Sequence, residues 1–97
     1  MTKTLSKTKV QRYLDITKQA LEKVKIAAPK RSYNHKIAKD FYNMAESYHK
    51  DAGHFFEKGD YINAFACVNY AHGWLDAGAR LGLFDVGGDD QLFTLAE

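Results

Sequence analysis

His72 and Asp76 stand four residues apart, with Asn69 and Arg80 close to one helical turn before and after them. A carboxylate one turn from a histidine can orient the imidazole, the skeleton of a general base or of a metal-bound histidine with its supporting partner. Neither chemistry is complete, because the spacing assigns no nucleophile and no further ligands. The favoured reading of Asn69, His72, Asp76 and Arg80 is a satisfied hydrogen-bond network inside a fold, and Asp76 and Arg80 are themselves spaced to pair. The sequence therefore assigns no catalytic residue, no metal ligand and no cofactor, and it leans against an enzyme; a ligand binder or enzyme centred on His72 and Asp76 is the minor alternative.

The remaining candidates are weaker. Glu46-Ser-Tyr-His49 matches the Glu-x-x-His of di-iron bundles, but that chemistry needs a second copy and two more glutamates. His35, His49 and His54 are not spaced to share a metal on one helix face and are expected at the surface or rim. Cys67, the only cysteine, lies between Ala66 and Val68 in a helical pattern, where a small buried hydrophobe is expected rather than a nucleophile. Gly87-Gly88 lacks the flanking strand and helix of a phosphate-cradling loop, and reads as a turn.

Three amphipathic stretches must position these residues. Tyr13, Leu14, Thr17, Ala20, Leu21 and Val24 repeat at the three-and-four spacing of a helix face, predicting helix one over residues 5–27. Thr4 or Ser6 would cap it and Ala28-Pro29 would end it. Helix two is predicted over 34–58 from Ile37, Phe41, Met44, Ala45, Tyr48, Ala52 and Phe55, capped by Ser32 or Asn34. Gly59 can close that helix and Asp60 can cap the next, so helices two and three form an antiparallel hairpin. Helix three is predicted over 60–81 with Gly82 past its end, and the tail 83–97, with apolar Leu92, Phe93 and Leu95, is expected to pack on the bundle. The expected architecture is one all-α domain over 1–97, a three-helix bundle.

Helix three is the informative element. Tyr61, Ala64, Phe65, Val68, Leu75 and Ala79 fall on a core face, whereas Ala66, Tyr70, Trp74, Ala77 and Leu81 lie where an ordinary surface helix carries Lys and Glu. Gly73 and Gly78 inside the helix each cost about 1 kcal/mol relative to alanine, which calls for something packed close against them, the tail, helix one or a second subunit, with tail and subunit favoured. The expected function is a noncatalytic interaction or assembly module, self-associating as a homodimer or binding another protein through Tyr70, Trp74, Ala77 and Leu81.

Charge is unevenly spread. Residues 1–40 hold eleven Lys/Arg against three Asp/Glu, and residues 41–97 three against nine. The basic half makes a nucleic-acid partner possible, but Asp15 and Glu22 interrupt it and no groove-reading motif is present, so that alternative is not favoured. No stretch approaches the roughly 20 apolar residues that span a bilayer. The first ten residues lack the apolar core of a secretory signal, and a lone cysteine suits a reducing compartment, so a cytoplasmic protein with no membrane partner is expected.

The run from Gly59-Asp-Tyr-Ile-Asn-Ala through His72-Gly-Trp-Leu-Asp-Ala-Gly-Ala-Arg-Leu-Gly-Leu-Phe84, with Ala28-Pro29-Lys30 upstream, resembles the archaeal domain of unknown function 357 family over nearly the whole chain. That resemblance implies a compact three-helix bundle and supplies no functional residues. The Gly59-Asp60-Tyr61-x-x-Ala64 turn is also similar to the helical hairpins of tetratricopeptide and microtubule-interacting-and-transport modules, though no 34-residue repeat is present.

Overall fold

The computed structural model describes residues 6–89 and 91–93. Among them the chain forms α1 (Lys7–Lys23), β1 (Lys25–Ile26), α2 (Tyr33–Glu57), α3 (Tyr61–Arg80) and β2 (Phe84–Asp85). This is an all-α three-helix bundle with one short antiparallel pairing between β1 and β2. Thr4 and Leu95 lie outside the described residues.

Each helix begins at a side-chain cap. Ser6 accepts from the Lys9 amide, Ser32 from the His35 amide and Asp60 from the Asn63 amide, each satisfying one of the amides that a first turn leaves without a partner. Gly59 and Gly82 follow α2 and α3 with φ of 79° and 76°, the left-handed conformation that closes a helix.

Helix one ends earlier than its sequence suggests. It stops at Lys23, not at Ala28-Pro29, because Val24 is extended and Lys25 and Ile26 pair with Asp85 and Phe84. The Ala27 amide extends this pairing by donating to the Leu83 carbonyl at 3.0 Å. Tyr42 donates to the Leu21 carbonyl at 3.2 Å, supplying a partner in the last turn of α1. Helical periodicity through Ala27 lost to a strand partner that lies almost sixty residues away in the chain.

α2 and α3 share the most extensive interface of the bundle. Ala38, Ala45 and Ala52 of α2 are fully buried, as are Ala64 and Ala71 of α3, and Gly78 is buried as well. In an antiparallel hairpin turning at Lys58-Gly59, residues equally distant from the turn face each other, which sets Ala52 opposite Ala64, Ala45 opposite Ala71 and Ala38 opposite Gly78. Ring pairs along the flank keep the same register: Phe56 with Tyr61 at 5.4 Å, Tyr48 with Tyr70 at 4.6 Å and Phe41 with Trp74 at 4.9 Å between centroids. Small residues every seventh position let the two backbones approach, and aromatic rings fill the sides.

α1 runs alongside α3 in the same direction, as the Tyr13–Phe65 ring contact and the Thr17–His72 hydrogen bond show in succession. The core is in two parts. One, nearer the hairpin turn, gathers Val10, Leu14, Ala52, Ala64 and Val68. The other gathers Ala20, Ala38, Ala45 and Leu75 with Leu83, Phe84, Val86 and Phe93. The tail thus supplies half the buried residues of the second part, so tail docking belongs to the fold.

Candidate functional site

Two surfaces of α3 matter: the flank facing α1 and the tail, which carries His72, and the outer face around Tyr70. On the first, His72 is held at both ring nitrogens. Nε2 lies 2.6 Å from the Leu92 carbonyl oxygen, and Nδ1 lies 3.0 Å from Oγ1 of the buried Thr17. A carbonyl can only accept, so Nε2 carries a proton; in the neutral ring Nδ1 then accepts from the Thr17 hydroxyl. The ring also stacks on Phe93, with centroids 6.3 Å apart.

Asp76, expected from its spacing to orient the ring, has its Oδ1 3.8 Å from Nε2, beyond hydrogen-bond range and an ion pair only when the ring is protonated. The orienting groups are Thr17 and Leu92. Sequence reasoning missed both roles, because a main-chain carbonyl has no sequence signature and Thr17 reads as one more small residue on the inner face of helix one. A base whose two nitrogens are both engaged within the chain lacks the free lone pair that proton abstraction or metal binding requires.

Beside His72 a groove of about 470 Å³ opens between α1 and α3, lined by Arg12, Tyr13, Ile16, Asn69 and Asp76 among others. Asn69 and Asp76 thus share a groove with His72, while Arg80 is exposed near the end of α3.

The tail reaches His72 by a defined route. Asp89 Oδ1 accepts from the Gln91 and Leu92 amides at 2.9 and 3.0 Å, and its Oδ2 lies 3.7 Å from Lys23 Nζ. The Leu92 amide bond, with help from the Gln91 amide and the Lys23 charge, holds the Asp89 carboxyl below the usual carboxylate range.

The outer face behaves differently. Tyr70 is 53% exposed and Leu81 67% exposed, and Ala77 is half-buried. Trp74 is half-buried and turned toward α2, its ring edge-on to Phe41, so of the four residues expected to form this face it is the one most engaged by the bundle. Its indole Nε1 is buried with no acceptor among the described residues. Ile62, 74% exposed, extends the face toward the start of α3. The described part of the tail packs against Leu75 and Gly78 on the other flank and leaves Tyr70 and Leu81 open.

Two further polar candidates, His49 and Cys67, are accounted for by packing. His49 Nε2 donates to the Leu14 carbonyl at 2.9 Å, tying α2 to α1. Cys67 is half-buried beside the hairpin-end core, and burial, with the Asp51 carboxylate adding to it, pushes its thiol up and away from the reactive thiolate. Among the described residues no group of three or more His, Cys, Asp or Glu is placed to hold a metal ion. No helix among them is long and apolar enough to cross a membrane.

Residues 12–84 match the protein family described as Protein of unknown function (DUF357). No curated protein and no solved structure matches the chain.

Proposed function

We propose that this chain, which belongs to the DUF357 family of proteins of unknown function, works as a noncatalytic protein-interaction module that docks through the outer face of α3. The observation that carries this reading is Gly73. A glycine inside a helix costs about 1 kcal/mol relative to alanine, and nothing among the described residues offsets it: a Cβ at Gly73 would meet none of them within 4 Å. The other glycine of α3 beyond its first turns, Gly78, is fully used by the chain itself, because Phe84 packs against it.

Gly73 sits in a shallow hollow of about 200 Å³ with Tyr70, Trp74 and Ala77. Between Tyr61 and Leu75 no side chain of α3 is charged. A helix face that is exposed, uncharged and notched by glycine suits the close approach of another helix, with Tyr70 and Leu81 as flanking anchors. A second copy of the chain is the first partner to test, since a two-fold pairing would present the same face from both sides.

The test is the mass of the full chain by sedimentation equilibrium across the micromolar range, for the native protein and for Gly73→Gln and Tyr70→Lys. Dimeric native protein with monomeric, fully folded variants supports self-docking. A native chain that stays monomeric throughout sinks self-association as the use of this face.

A further inference from the structure

The acids that interrupt the basic half of the chain stop at Glu22. From Lys23 to Lys39 the sequence holds six Lys/Arg and no Asp or Glu. The fold gathers this stretch at the end of the bundle away from the α2–α3 turn, in β1, the loop after it and the first two turns of α2. Two of the six have an acid beside them there: Lys23 has Asp89 at 3.7 Å, and Lys25 faces Asp85 across the strand pair. The other four, Lys30, Arg31, Lys36 and Lys39, are exposed, and no carboxylate among the described residues, Asp40 included, lies within ion-pair distance of them.

Tyr33 stands among these four cations and is 78% exposed, more than any other large apolar side chain among the described residues. The turn that carries it is tied to α2: Ser32 Oγ accepts from the His35 amide at 3.1 Å and donates to the Pro29 carbonyl at 2.6 Å. Within that turn Arg31 has φ of 69°, a left-handed conformation that glycine adopts freely and a residue with a Cβ does not. Its guanidinium meets no acid among the described residues, so the strained position gains nothing there from being arginine.

We propose that this end of the bundle binds single-stranded nucleic acid, with Lys30, Arg31, Lys36 and Lys39 on successive phosphates and a base stacked on the Tyr33 ring. Tyr33, Lys36 and Lys39 follow one another at one-turn spacing along about 9 Å of α2, a line that an extended strand can track. The exposed ring selects the partner. A duplex buries the faces of its bases, whereas a single strand offers them to an aromatic side chain. Phosphate contact and stacking carry no sequence information, so the lack of a groove-reading motif does not weigh against this partner. The surface is separate from the outer face of α3, and the proposal does not rest on protein docking there.

Fluorescence anisotropy tests this, with the full chain titrated into a labelled oligothymidylate of about 12 nucleotides, a length one small domain can span. The native chain should bind at low salt, with log K falling against log salt at a slope of about −3, the value for four phosphates of a single strand. Tyr33→Ala should weaken binding roughly tenfold, as the loss of one stacked base does, and leave the slope unchanged. A chain with Lys30→Gln and Arg31→Gln should flatten the slope by about 1.4. Removing the same charge from α1, with Lys7→Gln and Lys18→Gln, should change neither the slope nor the Tyr33 effect. Circular dichroism checks that each variant stays folded. No binding at low salt overturns the proposal, as does a duplex of the same length bound equally well with no loss in Tyr33→Ala. Equal losses from the α1 variant would reduce the effect to net charge and overturn it too. So would binding to phosphatidylserine vesicles without binding to the oligonucleotide, since the anionic partner would then be a membrane surface.

Discussion

The Phe84 ring occupies the space in which a side chain at Gly78 would have to lie: a Cβ built there overlaps two ring carbons and comes within 3.1 Å of Cζ. Phe84 is itself 4% exposed and paired through its backbone with Ile26, so it has little room to retreat. Gly78→Ala is expected to lower stability by about 1–3 kcal/mol, the usual cost of overpacking, even after alanine's helix preference is counted. Thermal melting followed by circular dichroism should show a fall on the order of 5 °C or more.

The same substitution one and a half turns earlier should have the opposite sign. Gly73→Ala meets open space, so the isolated chain should gain about 1 kcal/mol and melt higher by ~4–8 °C. A Gly73→Ala chain that is less stable at a concentration where the native protein is monomeric would mean that the glycine serves the fold itself.

His72 and Thr17 are expected to act as one unit. Thr17→Val keeps the shape and strands Nδ1 of His72, costing about 1–3 kcal/mol. His72→Ala should cost at least as much, since it also removes the contact to Leu92. The double variant should be no less stable than His72→Ala alone within about 0.5 kcal/mol. Strictly additive losses in urea denaturation would show that the two side chains contribute independently.

Asp89 should make tail docking sensitive to acid. Its carboxyl is held below its ordinary value in the folded chain, chiefly by the Leu92 amide, so the stabilisation is present above the unfolded-state value of about 3.9 and is lost as pH falls through the lower folded value. The native chain is therefore expected to lose stability relative to Asp89→Asn between about pH 5 and pH 2, the two converging at the acid end. Parallel stability curves for the two chains across that range would refute the role of Asp89.

The sequence by itself determined the three helices, the cap at Asp60, the turn at Gly59 and the pairing of α2 with α3, and narrowed the other two caps to pairs from which the structure takes Ser6 and Ser32. These depend on local forces: periodic burial, a side-chain oxygen one turn from a free amide, and a residue without a Cβ where φ is positive. Ala45 and Ala52 stood on the apolar stripe read from the sequence but Ala38 did not, and only the structure shows all three fully buried at seven-residue spacing. Only the tertiary structure decided where α1 ends, since Val24 to Ile26 left the helix for a partner in the tail. It also decided the fate of the two α3 glycines, whose local sequence environments do not distinguish them. Gly78 is matched to Phe84, and Gly73 to nothing among the described residues. The same holds for His72: its spacing pointed to Asp76, four residues along the same helix, but its hydrogen bonds go to Thr17 and Leu92, 55 and 20 residues away. Helical spacing specifies which side chains share a face, whereas hydrogen-bond geometry is set by whichever polar group the folded chain brings within about 3 Å.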